Sequence, residues 1–491
     1  MSLSQQEREA TLRSLHTGQA PHFSWRTEPE IDSERKTYLA ERLAIPADIQ
    51  QGVYPFKGVS LSRADIEWLL VTHEDQLGPV DWSNADQHSR VGLDLRGADL
   101  RQINLHGLPL ARMIGGRNWT VQFPSTDEQR DMGRIHLEGA DLSEAQLQEA
   151  SLGGAHLEEA FLGGALMQGA YLKETHLEGA DLEGAHLEGA NLEGVHLEGA
   201  NLRGVHLEGA TLLGAHLGGA NLEGAHLEGA NLVGASLRGK AVPAEYLKRV
   251  RQWDKDVLTA ANLQGAFFDS KTTMEDIVLG EEKYGFVSLA DVHWGGVNLS
   301  VVDWDVVTRL GDERRALQTT WLFNYRQAVR AYRQLASALR EQGLNEEAVY
   351  FAYRGEVLQR GVLWRQMLQL RRQGRKGLPR LLQKMVSYLL TWPLDVFAGY
   401  GYKPMRALIT YLLVVVAFML LYAIVGTTQG PHLSWSQLFI VSMTAFHGGA
   451  FLPNQFALDS PQAFISALEA FVGLLIEVSL IAAFAQRFFR K

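Results

Sequence analysis

The 491-residue sequence predicts a composite fold: a coiled repeat domain, a helical hairpin and a membrane domain with two spans. Three observations carry this. Leucine recurs at every fifth position from Leu137 to Leu237, with Met167 the one exception among 21 positions. Residues 324–367 place apolar side chains at helical spacing. Behind a basic stretch, residues 407–486 contain no lysine or arginine, the pattern of a spanning region with a cationic flank.

The composition is that of a folded protein, 46% hydrophobic and 21% charged. There is no cysteine, which excludes disulfides and thiolate metal sites. The opening MSLSQQEREA lacks a basic region followed by an apolar core, so no cleavable signal peptide is expected. Residues 1–90 read as a mixed region with an amphipathic helix within 61-LSRADIEWLLVTHED-75. The net charge of −10 is uneven: 16 acids face 3 bases between His136 and Arg238.

A period of five suits neither regular element. It advances a helix by about 500°, so the leucines would spiral around it, and on a strand an odd step flips each leucine to the other face. The chain must turn once per repeat, with a short extended segment, glycine at most corners, and leucine and a small residue facing the axis. The segments 180-ADLEG-184, 190-ANLEG-194 and 220-ANLEG-224 resemble the pentapeptide-repeat family pattern A-(D/N)-L-x-x. The resemblance implies a right-handed quadrilateral β-helix with four repeats per coil. With the weaker echoes on either side, it is expected over residues 91–304, with 112–134 looped out.

On four sides, the ten-residue alternation puts His136, His156, His176, His196 and His216 in one column and His186, His206 and His226 in the opposite one. Neighbours would lie roughly 4.8 Å apart. The first reading is outward imidazoles packed on one another and hydrogen-bonded to nearby glutamates. The second is a pH-sensing or weak metal-binding ladder, because such a column resists full protonation. No nucleophile accompanies the histidines, and the chain has no Gly-rich phosphate loop, H-E-x-x-H or nucleophile elbow. No enzymatic activity, catalytic residue, cofactor or dedicated metal centre is expected.

A helical hairpin is expected over residues 305–370. Tyr325, Ala328, Tyr332, Leu335 and Leu339 share one face, Gly343 ends the first helix, and Asn345, Glu346 and Glu347 start the second. It loosely resembles a single tetratricopeptide-type unit. Residues 371–406 form a basic interfacial segment; from Arg365 to Arg406 there are nine bases and one acid, Asp395. That composition suits a helix at the lipid headgroups. A nucleic-acid partner is not expected, because an apolar span follows at once.

Residues 407–491 form the membrane module, with spans 407–426 and 463–485 of crossing length. Basic residues flank only their outer ends, so a multi-pass protein of the cell membrane with both termini cytoplasmic is expected. Between the spans, 433-LSWSQLFIVSMTAFHGGAFLPNQ-455 holds an apolar helix too short to cross and a glycine turn, the pattern of a re-entrant helix and loop. This arrangement resembles the two-transmembrane pore-loop cation channels, whose filter reads T-x-V-G-Y-G-D-x-x-P. Thr444, Gly449 and Pro453 match, and Phe446 stands for the valine. His447, Gly448 and Ala450 depart from the motif.

The resemblance implies a filter of Thr444, Ala445, Phe446, His447, Gly448 and Gly449, a permeant cation and a homo-tetramer around a shared pore. Glu469, Gly473 and Glu477 form one stripe of the inner helix. Gly473 is read as a bend. Glu477 should face protein or water, because a carboxylate in lipid costs about 2.5–3.5 kcal/mol; it is read as an acidic ring or as a partner of a neighbouring helix. His447 lines the loop mouth or buttresses it. The function expected is a cation-channel-like membrane protein whose cytoplasmic β-helix gates it or binds partners. The alternative is a membrane-anchored interaction scaffold. A third reading takes the acidic coil as DNA-like, as in the pentapeptide-repeat proteins that inhibit gyrase.

Overall fold

The computed structural model describes residues 24–48, 51–116, 133–241, 257–319, 321–372, 378–399, 404–429, 434–448 and 461–488. The chain divides into two compact units, Met1–Arg315 with Glu341–Gly343, and Ala316–Arg340 with Leu344–Lys491.

The first unit is built on the coil. Parallel bridges join residues twenty positions apart, His136 to His156, Asp141 to Phe161, Gln146 to Leu166 and Ser151 to Tyr171, so twenty residues make four sides. Each side is a single bridged residue rather than a long strand. The Leu137 N–H donates to the His156 carbonyl at 2.7 Å, the His156 N–H returns to Ile135 at 3.1 Å, and the Ala140 N–H closes the corner on Leu137 at 3.0 Å. The corners need a left-handed residue: Gly184 has φ +64° there, while Glu144 takes φ +57° at the strain an L-residue carries in that region.

Every ladder leucine from Leu137 to Leu237 is at most 2% exposed. Where Thr175 replaces the small apolar residue, its hydroxyl donates to the Leu152 carbonyl at 2.9 Å and leaves no orphan. A coil has no second layer to relax into the gap, so Leu202→Ala is expected to cost about 3 kcal/mol, within the range for buried leucines. A urea unfolding midpoint of the wild-type value would contradict this.

The coil starts earlier than expected. Ser60 bridges Asp99, and the Gly58 N–H donates to Gly97 at 2.8 Å. Here Val59 and Leu61 fill core positions without the family letters. Helix α1 (Ser33–Leu43) and helix α2 (Arg63–Gln76) precede and follow this turn. A capping box of Ser62 and Asp65 opens α2. Arg63 then fastens it to the coil through Asn104 Oδ1 at 3.0 Å and pairs within the helix with buried Glu67 at 2.8 Å. Arg35 pairs with Asp65 at 2.9 Å. Burial would raise the Asp65 carboxyl, but the Arg35 and Ser62 hydrogen bonds outweigh it and hold the group below the ordinary aspartate range.

The loop expected over 112–134 also starts later. Ile114 bridges Asp94 and Ser151, and the Arg112 N–H donates to Gln148 at 2.8 Å, so residues 112–116 belong to the coil. Met113 supplies the buried apolar side chain that keeps them there. Two insertions were not expected. Strand β1 (Lys240–Ala241) pairs antiparallel with β2 (Val257–Leu258), and β3 (Gly280–Glu281) with β4 (Gly285–Phe286). The coil resumes after each, with Asn221 bridged to Asn262 and Phe267 to His293. Helix α3 (Gly311–Thr319) follows. Its buried Asp312 accepts from the Leu289 N–H and from Gln264 Nε2, each at 2.6 Å.

In the second unit, helices α4 (Leu322–Glu341) and α5 (Asn345–Arg372) form the hairpin, turning at Gly343 with φ +82°. Tyr325, Ala328, Tyr332, Leu335 and Leu339 are buried. A Cβ at Gly361 would stand 2.5 Å from the Tyr325 ring, so glycine permits the close crossing. The basic segment contains helix α6 (Leu378–Ala398). Its one acid, Asp395, ties it to α5 through Arg360 at 2.8 Å and the Tyr353 hydroxyl at 3.0 Å. Helices α7 (Pro404–Gln429), α8 (Trp435–Phe446) and α9 (Pro461–Phe488) complete the unit.

Candidate functional site

The coil sets its outward residues in columns. His136, His156, His176, His196 and His216 are bridged in one, and His186, His206 and His226 in another. Their rings stack at 4.7–5.1 Å between centroids. The second column continues through Phe267 to His293, at 4.7 and 4.4 Å, an extension the sequence reading missed. Its signal was Phe267 at the histidine position of 265-GAFF-268. From Asp141 onward the intervening columns are polar apart from Phe161 and Tyr171, with Asn201 donating to Asp181 and Asn262 to Asn221, both at 2.9 Å.

Each of these histidines except His216 meets the glutamate two residues on, because both project from one corner. His136 Nδ1 lies 3.0 Å from Glu138 Oε1, His156 3.2 Å from Glu158 and His186 3.0 Å from Glu188. The hydrogen bond to Glu138 raises the His136 pKa, and that to Glu178 raises His176. His216 is the contrast: Gly218 stands where the others have glutamate, and burial lowers its pKa. Glu198 is nearly buried, but His196 and Lys240 outweigh burial and hold it at about 2.

Helices α7 and α9 are long and apolar enough to cross a membrane, over Leu408–Val425 and Pro461–Val478. Their outer faces are bare hydrocarbon: Leu413 is 65% exposed and Ile481 67%. The short helix α8 packs between them. One cluster joins Tyr422, Leu438, Val441 and Ile465, and a second joins Val415, Phe446 and Ile476. The polar groups point inward: Ser442 Oγ lies against Glu469 Oε1 and 3.0 Å from the Val415 carbonyl, and both residues have no exposure. Ser442 was missed by the sequence reading, although its spacing from the Ser434 cap places it on the inner face.

The expected filter residues fall differently. A capping box at Ser434 starts α8, and nothing breaks it before Gly448, so Thr444, Ala445 and Phe446 are its last turn rather than an extended filter. The Thr444 hydroxyl donates back to Ile440 at 2.8 Å. His447 caps the helix, pairs through Nδ1 with Glu477, and reaches the Tyr411 hydroxyl through Nε2 at 3.3 Å. Gly448 follows with φ +67°, and Gly449 lies outside the described residues. Glu469, Gly473 and Glu477 all face α8. The reason for Gly473 is close approach rather than a bend: a Cβ there would stand 2.0 Å from the Phe446 carbonyl oxygen, within one continuous helix.

Residues 131–164, 165–204 and 200–239 match the family of pentapeptide repeats (8 copies). The coil is a pentapeptide-repeat β-helix. Similar solved structures include HetL, a pentapeptide repeat protein involved in heterocyst differentiation regulation from the cyanobacterium Nostoc sp. strain PCC 7120. It is 24% identical, with 49% of this chain and 93% of that chain covered and a TM-score of 0.26. Another is QnrB1, a plasmid-mediated fluoroquinolone resistance protein, 16% identical over 47% and 89% of the two chains, TM-score 0.23. A third is a pentapeptide repeat protein of the Arabidopsis thaliana thylakoid lumen, 29% identical over 23% and 77%, TM-score 0.16. No curated protein matches this chain. The family match ends at residue 239, before α3 to α9.

Proposed function

We propose that α7, α8 and α9 form a membrane-embedded module that conducts cations, and that the pentapeptide-repeat coil is its cytoplasmic domain for gating or partner binding. One observation carries this reading: an apolar helix too short to cross a membrane is held between two helices of crossing length by polar contacts, the buried pair Ser442 with Glu469 and the more exposed pair His447 with Glu477. A tether has no need of such a helix. The C-terminal end of α8 carries the partial negative charge of its free carbonyls and ends beside the Glu477 carboxylate, which together suit a cation.

In this reading the exposed apolar faces of α7 and α9 meet lipid and other copies, with four copies around a shared axis. Helix α6, with Arg380 and Lys384 beside exposed Leu382, Leu389 and Trp392, lies at the headgroups. The positive-inside rule puts both termini in the cytoplasm. No catalytic step and no nucleic-acid partner form part of the proposal. The competing reading, a membrane-anchored scaffold, is favoured by the family match, which covers only the acidic coil.

Single-channel recording from the full chain in planar bilayers separates the two. Discrete currents are expected, with Glu477→Gln reducing cation preference and His447→Ala changing unitary conductance. A silent bilayer across voltage and pH leaves the scaffold. Currents indifferent to both substitutions would remove this cluster from the pore.

A further inference from the structure

The histidine columns hold a feature that conduction does not use. In each His-x-Glu repeat one carboxylate oxygen meets the imidazole. The other, Oε2 of Glu138, Glu158, Glu178, Glu188, Glu208 and others, is buried with no hydrogen-bond partner among the described residues. Glu178 is only 5% exposed. A buried carboxylate oxygen left unmet is costly, and here the cost recurs at every histidine-bearing corner that carries glutamate.

The same glutamates converge with the imidazoles of adjoining coils. Glu138, His156 and Glu158 bring one ligand atom each to within 4.8 Å of one another, as do Glu158, His176 and Glu178, and Glu178, His196 and Glu198. In the opposite column His186, Glu188 and His206, and His206, Glu208 and His226, do the same. We propose that these groups bind divalent transition-metal ions of the zinc class between successive turns of the coil.

Zinc takes imidazole nitrogen and carboxylate oxygen at about 2.0–2.2 Å, which places the ligands of a tetrahedral ion roughly 3.3 Å apart. The partly exposed imidazoles close that difference by rotating about their side-chain torsions, while the bridged backbone keeps them in register. Three protein ligands leave the fourth position for water. Glu158, Glu178 and His206 are each shared by two groups, so neighbours exclude each other: the first column holds at most two ions and the second one. The Lys240 ammonium, 2.5 Å from Glu198, competes for the third group of the first column, which therefore fills last.

The site is separable from any pore, and so is its test. Tag-free full-length protein is titrated with Zn²⁺ alone, with bound metal measured after equilibrium dialysis and melting temperature followed in parallel. Co²⁺ substitution reports coordination by visible absorption. The variant carrying His156→Asn, His176→Asn, His196→Asn and His206→Asn uses the residue that Asn191 and Asn201 already place at bridged positions of the same coil, so the fold is retained. Wild type is expected to take up metal and to melt higher with it, and the variant to bind at least tenfold more weakly. Glu158→Gln with Glu178→Gln, which leaves every imidazole in place, is expected to weaken only the first column, and it stands in if the first variant does not fold. Failure of the wild type to take up Zn²⁺ at micromolar concentration, or equal uptake by the folded variants, overturns the proposal.

Discussion

Gly473→Ala is expected to unseat α8 and to be the most damaging single-methyl change among α7, α8 and α9. The added Cβ would stand 2.0 Å from the Phe446 carbonyl oxygen and 2.9 Å from its carbon. These are backbone atoms with no rotamer to escape into, so the end of α8 must shift. That shift pulls His447 from Glu477 and strains the Ser442–Glu469 contact upstream. Overpacking alone costs about 1–3 kcal/mol, and the lost polar contacts add to it. Gly448→Ala is the internal control: its φ is +67° but no atom of the described residues lies within 4 Å of the added carbon, so only the left-handed backbone is penalised, at roughly 1–2 kcal/mol. Thermal melting in detergent should rank Gly473→Ala well below Gly448→Ala, and under the channel reading only the former abolishes current. Equal melting temperatures would show that the carbonyl approach is not a tight packing constraint.

The coil was legible because its physics is local and repeated. A leucine every fifth residue and a glycine at the corner require one turn per repeat, the resemblance to pentapeptide repeats implies four sides, and the histidine columns follow from counting them. What escaped were places where a core position is filled without the letters. Val59, Leu61 and Met113 are buried like the ladder leucines, yet no asparagine or aspartate flags them as repeats. The inserted hairpins escaped because the coil tolerates an excursion at any corner, provided the next bridge, such as Asn221 to Asn262, is recovered.

The site between α7, α8 and α9 was half legible. Length and the absence of charge gave the two apolar helices, and the Ser434 cap gave the start of α8. Its end departs from the filter pattern, because local propensity carries the helix through Phe446, where the channel motif is extended. The roles of Ser442 and Tyr411 depend on which residues three helices bring together, information that spacing within one helix does not hold. Gly473 shows the same limit: a glycine on an inner stripe looks like a hinge until the carbonyl that needs its space is known.

Asp312→Ala is expected to open the far end of the coil. The carboxylate, 1% exposed, accepts from the Leu289 N–H and from Gln264 Nε2, and Gln264 in turn accepts from Arg315 at 3.2 Å. Removing it orphans two buried donors at about 1–3 kcal/mol each, so a loss of about 3 kcal/mol is expected near neutral pH, with Asp312→Asn costing less because it keeps one acceptor. The pH dependence distinguishes a charged group from mere packing. Burial raises the Asp312 pKa against the pull of its two donors and Arg315. A folded pKa above the unfolded value means the native state binds the proton more tightly, so this contribution to stability is full below the unfolded pKa and is lost as pH rises through the folded one. The advantage of wild type over Asp312→Asn should therefore widen as pH falls from neutrality toward the ordinary aspartate range, while carboxylates common to both proteins cancel. A difference in urea midpoint that stays flat with pH would mean that Asp312 closes the coil by shape and hydrogen bonding alone.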